Sequence, residues 1–201
     1  MIDVLLAAWA NTSQLEIVSV AFGLIYVILA ARENAWCWPA AMIGTGTAIF
    51  LFWDVSLLME SALNVFYLAI AFYGLWAWHR GGDHGGSLEI SSWSPNAHAL
   101  ALIGIVTLTA ISGTALASGT SASYPFIDSF TTWAAVITTW MVTRKILENW
   151  LYWLLINSIS VWLFWQKGLA LYALLFVLYI VIAIYGYFNW RRIWRSQANA
   201  T

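Results

Sequence analysis

Laid on itself at a shift of 112 residues, this chain matches without a gap. Glu16, fifteen uncharged residues and Arg32 align with Asp128, fifteen uncharged residues and Arg144. Trp38 falls on Trp150, Leu51-Phe52-Trp53 on Leu163-Phe164-Trp165, and Tyr67 on Tyr179. Tyr73-Gly74 falls on Tyr185-Gly186, Trp78 on Trp190 and Arg80 on Arg192. An apolar background produces chance Leu and Ile matches, but not five Trp and Tyr pairs with Gly and Arg in register. Repeated halves in an apolar chain point to a carrier, where substrate sites form between paired bundles.

Composition names the solvent. Hydrophobic residues make up 62% and charged residues 8%, where a soluble domain carries about a quarter charged residues; the mean hydropathy is +0.78. The reading is an all-α integral membrane protein, surrounded by lipid. A net charge of −1 excludes a nucleic-acid partner, which needs basic phosphate contacts. The single Cys37 forms no internal disulfide and no multi-thiolate metal site. Several of the fifteen Trp lie inside apolar runs, beyond what interfacial belts require.

Charges act as punctuation. The uncharged stretches run Ile17–Ala31, Asn34–Trp53, Ser61–His79, Ile90–Ile127, Ser129–Thr143, Asn149–Gln166 and Gly168–Trp190. A span needs about 20 residues, and the two short stretches reach it because flanking Arg side chains snorkel. The expectation is seven transmembrane helices, three plus one plus three, with the fourth over about Ala97–Ala117. Residues 1–15 read as an interfacial segment, 16–80 as the first repeat and 81–127 as a loop plus linker helix. Residues 128–192 are the second repeat and 193–201 a tail. One helix between two triplets makes the repeats parallel. With the N-terminus outside and the C-terminus inside, seven basic residues lie on the inner side and only Lys167 outside, as the positive-inside rule requires.

Polar groups inside a span are the candidate site, because burying them in lipid costs several kcal/mol. Glu60, Asn64, Tyr67, Ala71 and Gly74 share one face of the third helix through spacings of 4, 3, 4 and 3. Trp150, Trp153, Asn157 and Ser160 do the same on the sixth. Asn64 and Asn157 either contact a ligand or tie two helices together. Trp133 is an interfacial anchor or a pocket wall. Gly44-Thr45-Gly46-Thr47 reads as a close-packing seam. Arg144 to Trp150 reads as an inner loop whose charges face the cytoplasm. His79, His84 and His98 lack a partnering carboxylate pattern and are expected to be solvated, so no metal site is assigned. No phosphate loop, HExxH or Ser/His pair is present, so the chain is not read as an enzyme and no cofactor is expected.

The segment Thr143-Arg144-Lys145-Ile146-Leu147-Glu148-Asn149-Trp150-Leu151-Tyr152-Trp153, followed by Ile156-Asn157-Ser158-Ile159-Ser160-Val161, resembles the PnuC-type vitamin transporters. So do Tyr124-Pro125-Phe126-Ile127-Asp128-Ser129, Val65-Phe66-Tyr67 and Tyr73-Gly74-Leu75-Trp76-Ala77-Trp78. The resemblance implies the three-plus-one-plus-three fold and residence in a bacterial inner membrane. It also implies facilitated diffusion with trapping by phosphorylation, and a homotrimer. Nicotinamide riboside members usually have Gln where this chain has Asn64, and Trp where it has Leu75. Thiamine carriers belong to the same family, and both vitamins carry a flat cationic ring that an aromatic cage holds by about 0.5–2 kcal/mol per contact. Nicotinamide riboside leads on this reading, thiamine is the alternative, and neutral riboflavin ranks lower. A membrane sensor or scaffold is a further alternative. The substrate-binding set is Asn64, Tyr67, Trp150, Trp153 and Asn157, then Glu60, Trp133 and Tyr179.

Overall fold

A computed structural model describes residues 14–54, 58–82, 85–119, 124–166, 168 and 170–199, without the side chains of 58–60, 62, 170–171 and 198. Seven helices lie among them: α1 Gln14–Ala31, α2 Cys37–Asp54, α3 Leu58–Arg80, α4 Pro95–Gly119, α5 Pro125–Thr143, α6 Asn149–Gln166 and α7 Ala170–Ala198. Apart from one isolated bridge, Ser91 with Ile146, the regular structure among these residues is helical. The interfacial segment expected at 1–15 lies outside them, except that Gln14 and Leu15 open α1. Three helices are long and apolar enough to cross a membrane by themselves: Gln14–Ala31, Pro95–Gly119 and Tyr172–Gln197. Pro95 and Pro125 begin their helices, where a missing N–H loses no helical bond.

The chain divides into two compact units, Met1–Leu88 and Glu89–Thr201. In the first, α2 packs on both α1 and α3. In the second, α4 packs on α5, α5 on α6 and α6 on α7, so the linker helix belongs with the later triplet.

Each unit contains the same turn. After α1, Glu33 N–H donates to the Ala30 carbonyl (2.9 Å) and Asn34 N–H to that of Leu29 (2.9 Å). After α5, Lys145 N–H donates to Val142 (3.1 Å) and Ile146 N–H to Met141 (3.0 Å). Both are Schellman caps, which satisfy the last helical carbonyls through one left-handed residue. That residue is Glu33 at φ 57° in one unit and Lys145 at φ 49° in the other. A Cβ in this region costs roughly 1–2 kcal/mol. The capped carbonyls and the buried helix starts that follow outweigh it.

Each unit also contains the same aromatic wedge. Trp38, at the start of α2, meets Trp78 of α3 edge-on, with ring centroids 5.5 Å apart and planes at 90°. Trp150, at the start of α6, meets Trp190 of α7 at 5.5 Å and 87°. Each first indole lies against a glycine. A Cβ on Gly74 would overlap the Trp38 ring, and one on Gly186 would come within 2.8 Å of Trp150. All four indoles are buried, and each edge-on pair adds about 0.5–1.5 kcal/mol to the packing.

The glycine seam of α2 is half as expected. Gly44 is buried, a Cβ there would meet Gly23 and Phe22 of α1 at 3.4 Å, and its carbonyl accepts the Ser19 hydroxyl at 3.2 Å. Gly46 has open space where its side chain would be.

Candidate functional site

On α6 the spacing of 3, 4 and 3 sets Trp150, Trp153, Asn157 and Ser160 along one face. Asn157 is only 4% exposed and Ser160 5%. No hydrogen bond to either side chain is found among the described residues. Neighbouring hydroxyls behave differently: Ser158 donates to the Leu154 carbonyl at 2.7 Å, and Thr138 to that of Ala134 at 2.6 Å. Neither side chain is among the fully buried polar atoms that lack a partner, so each stays accessible to a hydrogen-bonding guest. Such a group is therefore kept for something that arrives, water or solute.

The aromatic candidates of this unit have packing duties. Trp150 is held between Gly186 and the Trp190 edge, and its indole N–H has no partner among the described residues. Trp153 packs against Ile105 of α4, Ala134 of α5 and Ile156 of α6, beside Phe130 and Ile137. Trp133 donates its indole N–H to the Ser112 hydroxyl of α4 at 3.1 Å. Tyr179 meets Phe176 edge-on at 5.8 Å, and Phe176 stacks on Phe164 at 5.2 Å.

In the first unit, Asn64 and Tyr67 are half-buried on α3, and both are engaged within the protein. Ala71 and Gly74, on the same face, are buried, and Gly74 lies against Trp38. Glu60 falls in the first turn of α3, and its side chain lies outside the described residues. At the shift of 112, the partners of Glu60 and Asn64 are Tyr172 and Phe176. There the face is aromatic, with Phe164 of α6 stacked on both Tyr172 and Phe176.

Sequence reasoning missed a polar clasp in the second unit. Residues before α4 run across the turn between α5 and α6: Ser91 N–H donates to the Lys145 carbonyl (3.0 Å) and Leu147 N–H to that of Ser91 (2.8 Å). The Glu148 carboxylate accepts the Ser92 hydroxyl at 2.5 Å and the Trp93 N–H at 3.3 Å. His98, one turn into α4, places Nε2 3.9 Å from Glu148 and Nδ1 3.0 Å from the Tyr152 hydroxyl. Its ring lies edge-on to Trp93 and stacked on Tyr152. The expectation of a solvated His98 without a carboxylate partner is therefore corrected. The inner turn is corrected in part: Arg144 is exposed as expected, but Lys145 is buried, together with Ile146 and Leu147. Separations of 50 to 56 residues carry these contacts, and no local spacing announces them. His84 lies outside the described residues, and His79 is exposed at the end of α3.

Comparison with known proteins agrees with this architecture. The family model of the nicotinamide mononucleotide transporter matches residues 13–192. The nicotinamide riboside transporter PnuC of Escherichia coli (strain K12) is 26% identical over 213 residues, covering 94% of this chain and 87% of its own. That of Haemophilus influenzae is 28% identical over 191 residues, covering 90% and 80%. The riboflavin/roseoflavin transporter RibM of Streptomyces davaonensis is 24% identical over 172 residues, covering 84% and 80%. The crystal structure of a vitamin B3 transporter, PnuC, has the same fold, with a TM-score of 0.72 at 19% identity over 97% of this chain and 88% of that one. These relatives are transporters, not enzymes. Together with its apolar helices, the family match establishes the chain as a multi-pass bacterial membrane protein belonging to the nicotinamide mononucleotide transporter family.

Proposed function

We propose that this chain takes up a water-soluble vitamin with a flat cationic ring, nicotinamide riboside first, by facilitated diffusion. Phosphorylation in the cytoplasm then traps the vitamin. The observation that carries the reading is that Asn157 and Ser160, nearly enclosed on one face of α6, make no side-chain hydrogen bond among the described residues. Residues 112 earlier supply the contrast. Thr45 stands for Asn157 and donates to the Ala41 carbonyl at 2.7 Å, while Ala48 stands for Ser160. The wedge recurs, with its indole N–H groups, while the amide and hydroxyl of α6 do not, which favours one solute site with its amide on α6.

On this reading the Asn157 amide on α6 hydrogen-bonds the ring substituents, and Asn64 is a separate candidate within the first unit. Trp153 is the aromatic candidate nearest Asn157 on that face, with Trp150, Trp133 and Tyr179 in supporting positions in the same unit; Tyr67 and Glu60 are candidates within the first unit. Relatives named for nicotinamide riboside support the leading substrate. Asn64, where such carriers usually have Gln, keeps thiamine as the second reading, and the riboflavin relative adds a third compound to the test. A basic inner side, an outer N-terminus and a trimer complete the proposal.

Calorimetric titration of the purified protein with nicotinamide riboside, thiamine and riboflavin tests it, followed by uptake into proteoliposomes. Nicotinamide riboside is expected to bind and to cross. Asn157→Leu is expected to abolish binding while the protein stays inserted and folded. Wild-type affinity in that variant would refute the assignment of the site, and absence of any solute-dependent flux would refute the carrier.

A further inference from the structure

An open cavity of about 600 Å³ lies at the end of α3, lined by Phe72, Leu75, Trp76, His79, Arg80 and Gly85. Its lining is graded along the helix. Phe72 and Trp76, one turn apart, are 60% and 54% exposed. His79 and Arg80 follow within the next turn, both exposed, at the end of the helix whose dipole favours cations. Arg80 is in no ion pair among the described residues. Beyond it the chain turns back: Gly82 N–H donates to the Gly86 carbonyl at 3.0 Å, and Leu88 N–H to that of Trp78 at 3.1 Å. That return brings Gly85 to the cavity. At the shift of 112, α7 carries a similar series, Ile184, Tyr187, Phe188, Arg191 and Arg192. There the helix runs on to Ala198, with no returning turn at that level.

We propose that this cavity binds the headgroup of an anionic phospholipid. The Arg80 fork matches a phosphate, and His79 adds a ring N–H. Phe72 and Trp76 lie where acyl chains leave the headgroup, as interfacial aromatics do. A cationic vitamin is repelled by Arg80, so the cavity is separate from the solute site. A free phosphate would leave both exposed rings without contact, whereas a lipid uses rings and cations together.

Native mass spectrometry of the full chain in neutral detergent tests this, with dioleoyl phosphatidylglycerol against dioleoyl phosphatidylcholine. Phosphatidylglycerol is expected to be retained preferentially. Arg80→Gln should weaken its retention about fivefold, Trp76→Ala should also weaken it, and Arg195→Gln in the last turn of α7 should leave it unchanged. Wild-type protein cross-linked with a diazirine phosphatidylglycerol should be labelled within residues 72–85, a readout that needs no variant to fold. Equal retention of the two lipids overturns the proposal, as do labelling confined elsewhere, full retention in Arg80→Gln, and displacement by glycerol phosphate as effective as by lipid.

Discussion

Trp150 and Asn157 stand two turns apart on α6, and their counterparts 112 residues earlier separate what each does. Trp38 repeats Trp150 in every respect that matters: the glycine against the ring, the edge-on indole and the buried N–H without a partner. A lone indole N–H shared by both units follows from the wedge itself, so it is weak evidence for a ligand. Asn157 has no such precedent. The wedge makes a prediction of its own. Gly186→Ala should lower stability by about 1–3 kcal/mol through overpacking, and Gly74→Ala, whose Cβ overlaps the ring, should cost more. Gly46→Ala, which enters open space, should be neutral or gain up to about 1 kcal/mol from helix propensity. Thermal unfolding in detergent checks the series, and equal losses at Gly46 and Gly186 would remove the wedge as the reason for these glycines.

Among the elements, the strap before α4 is the one that sets the second unit apart from the first. Both units share the Schellman turn, yet in the first Trp36, at the place of Glu148, is 72% exposed. In the second, Glu148 turns its carboxylate toward Ser92 and Trp93 and so fastens α4 to the start of α6. Hydrogen bonds to a charged group contribute about 1.5–3 kcal/mol, less here because the pair is partly solvated. Glu148→Ala should therefore cost about 1–2 kcal/mol and speed hydrogen exchange at the Trp93 amide. Combining it with Ser92→Ala should reveal a coupling of at least about 0.5 kcal/mol. Additive effects and unchanged exchange at Trp93 would mean that the strap is held by Ile90 and the backbone bonds alone.

The clasp also marks where the sequence stopped being legible. Helices were readable because so few charges interrupt the apolar stretches: the fourth was expected over about Ala97–Ala117 and runs Pro95–Gly119. The site face of α6 was readable because 3, 4, 3 spacing is a local property of the helix. Contacts across 50 to 56 residues are set by how the chain returns on itself, and His98 shows nothing locally that points to Glu148. The packing of Trp153 against Ile105 and Ala134, and the use of the Trp133 N–H by Ser112, were hidden for the same reason. Periodicity gives the face of a residue but not the helix that meets it.

For the whole molecule, a turn and a wedge present in both units, set against polar groups present in one, predict the number of solutes bound. If the wedge and the turn were the binding apparatus, each unit would hold a vitamin, because each has both. If the unpaired amide is the determinant, only the second unit supplies it on α6, since Thr45 is closed on its own backbone. The polar side chains of α3 lack copies as well, with Phe176 in the place of Asn64. Titration should therefore saturate at one vitamin per chain, and Asn157→Leu should abolish all of the heat rather than half. Thr45→Val removes a hydroxyl already satisfied by the helix, so affinity should change less than about twofold while stability moves by less than about 1 kcal/mol. A stoichiometry of two, or binding lost in Thr45→Val with the fold intact, would place solute recognition in the repeated parts of the chain and leave Asn157 as a tie between helices.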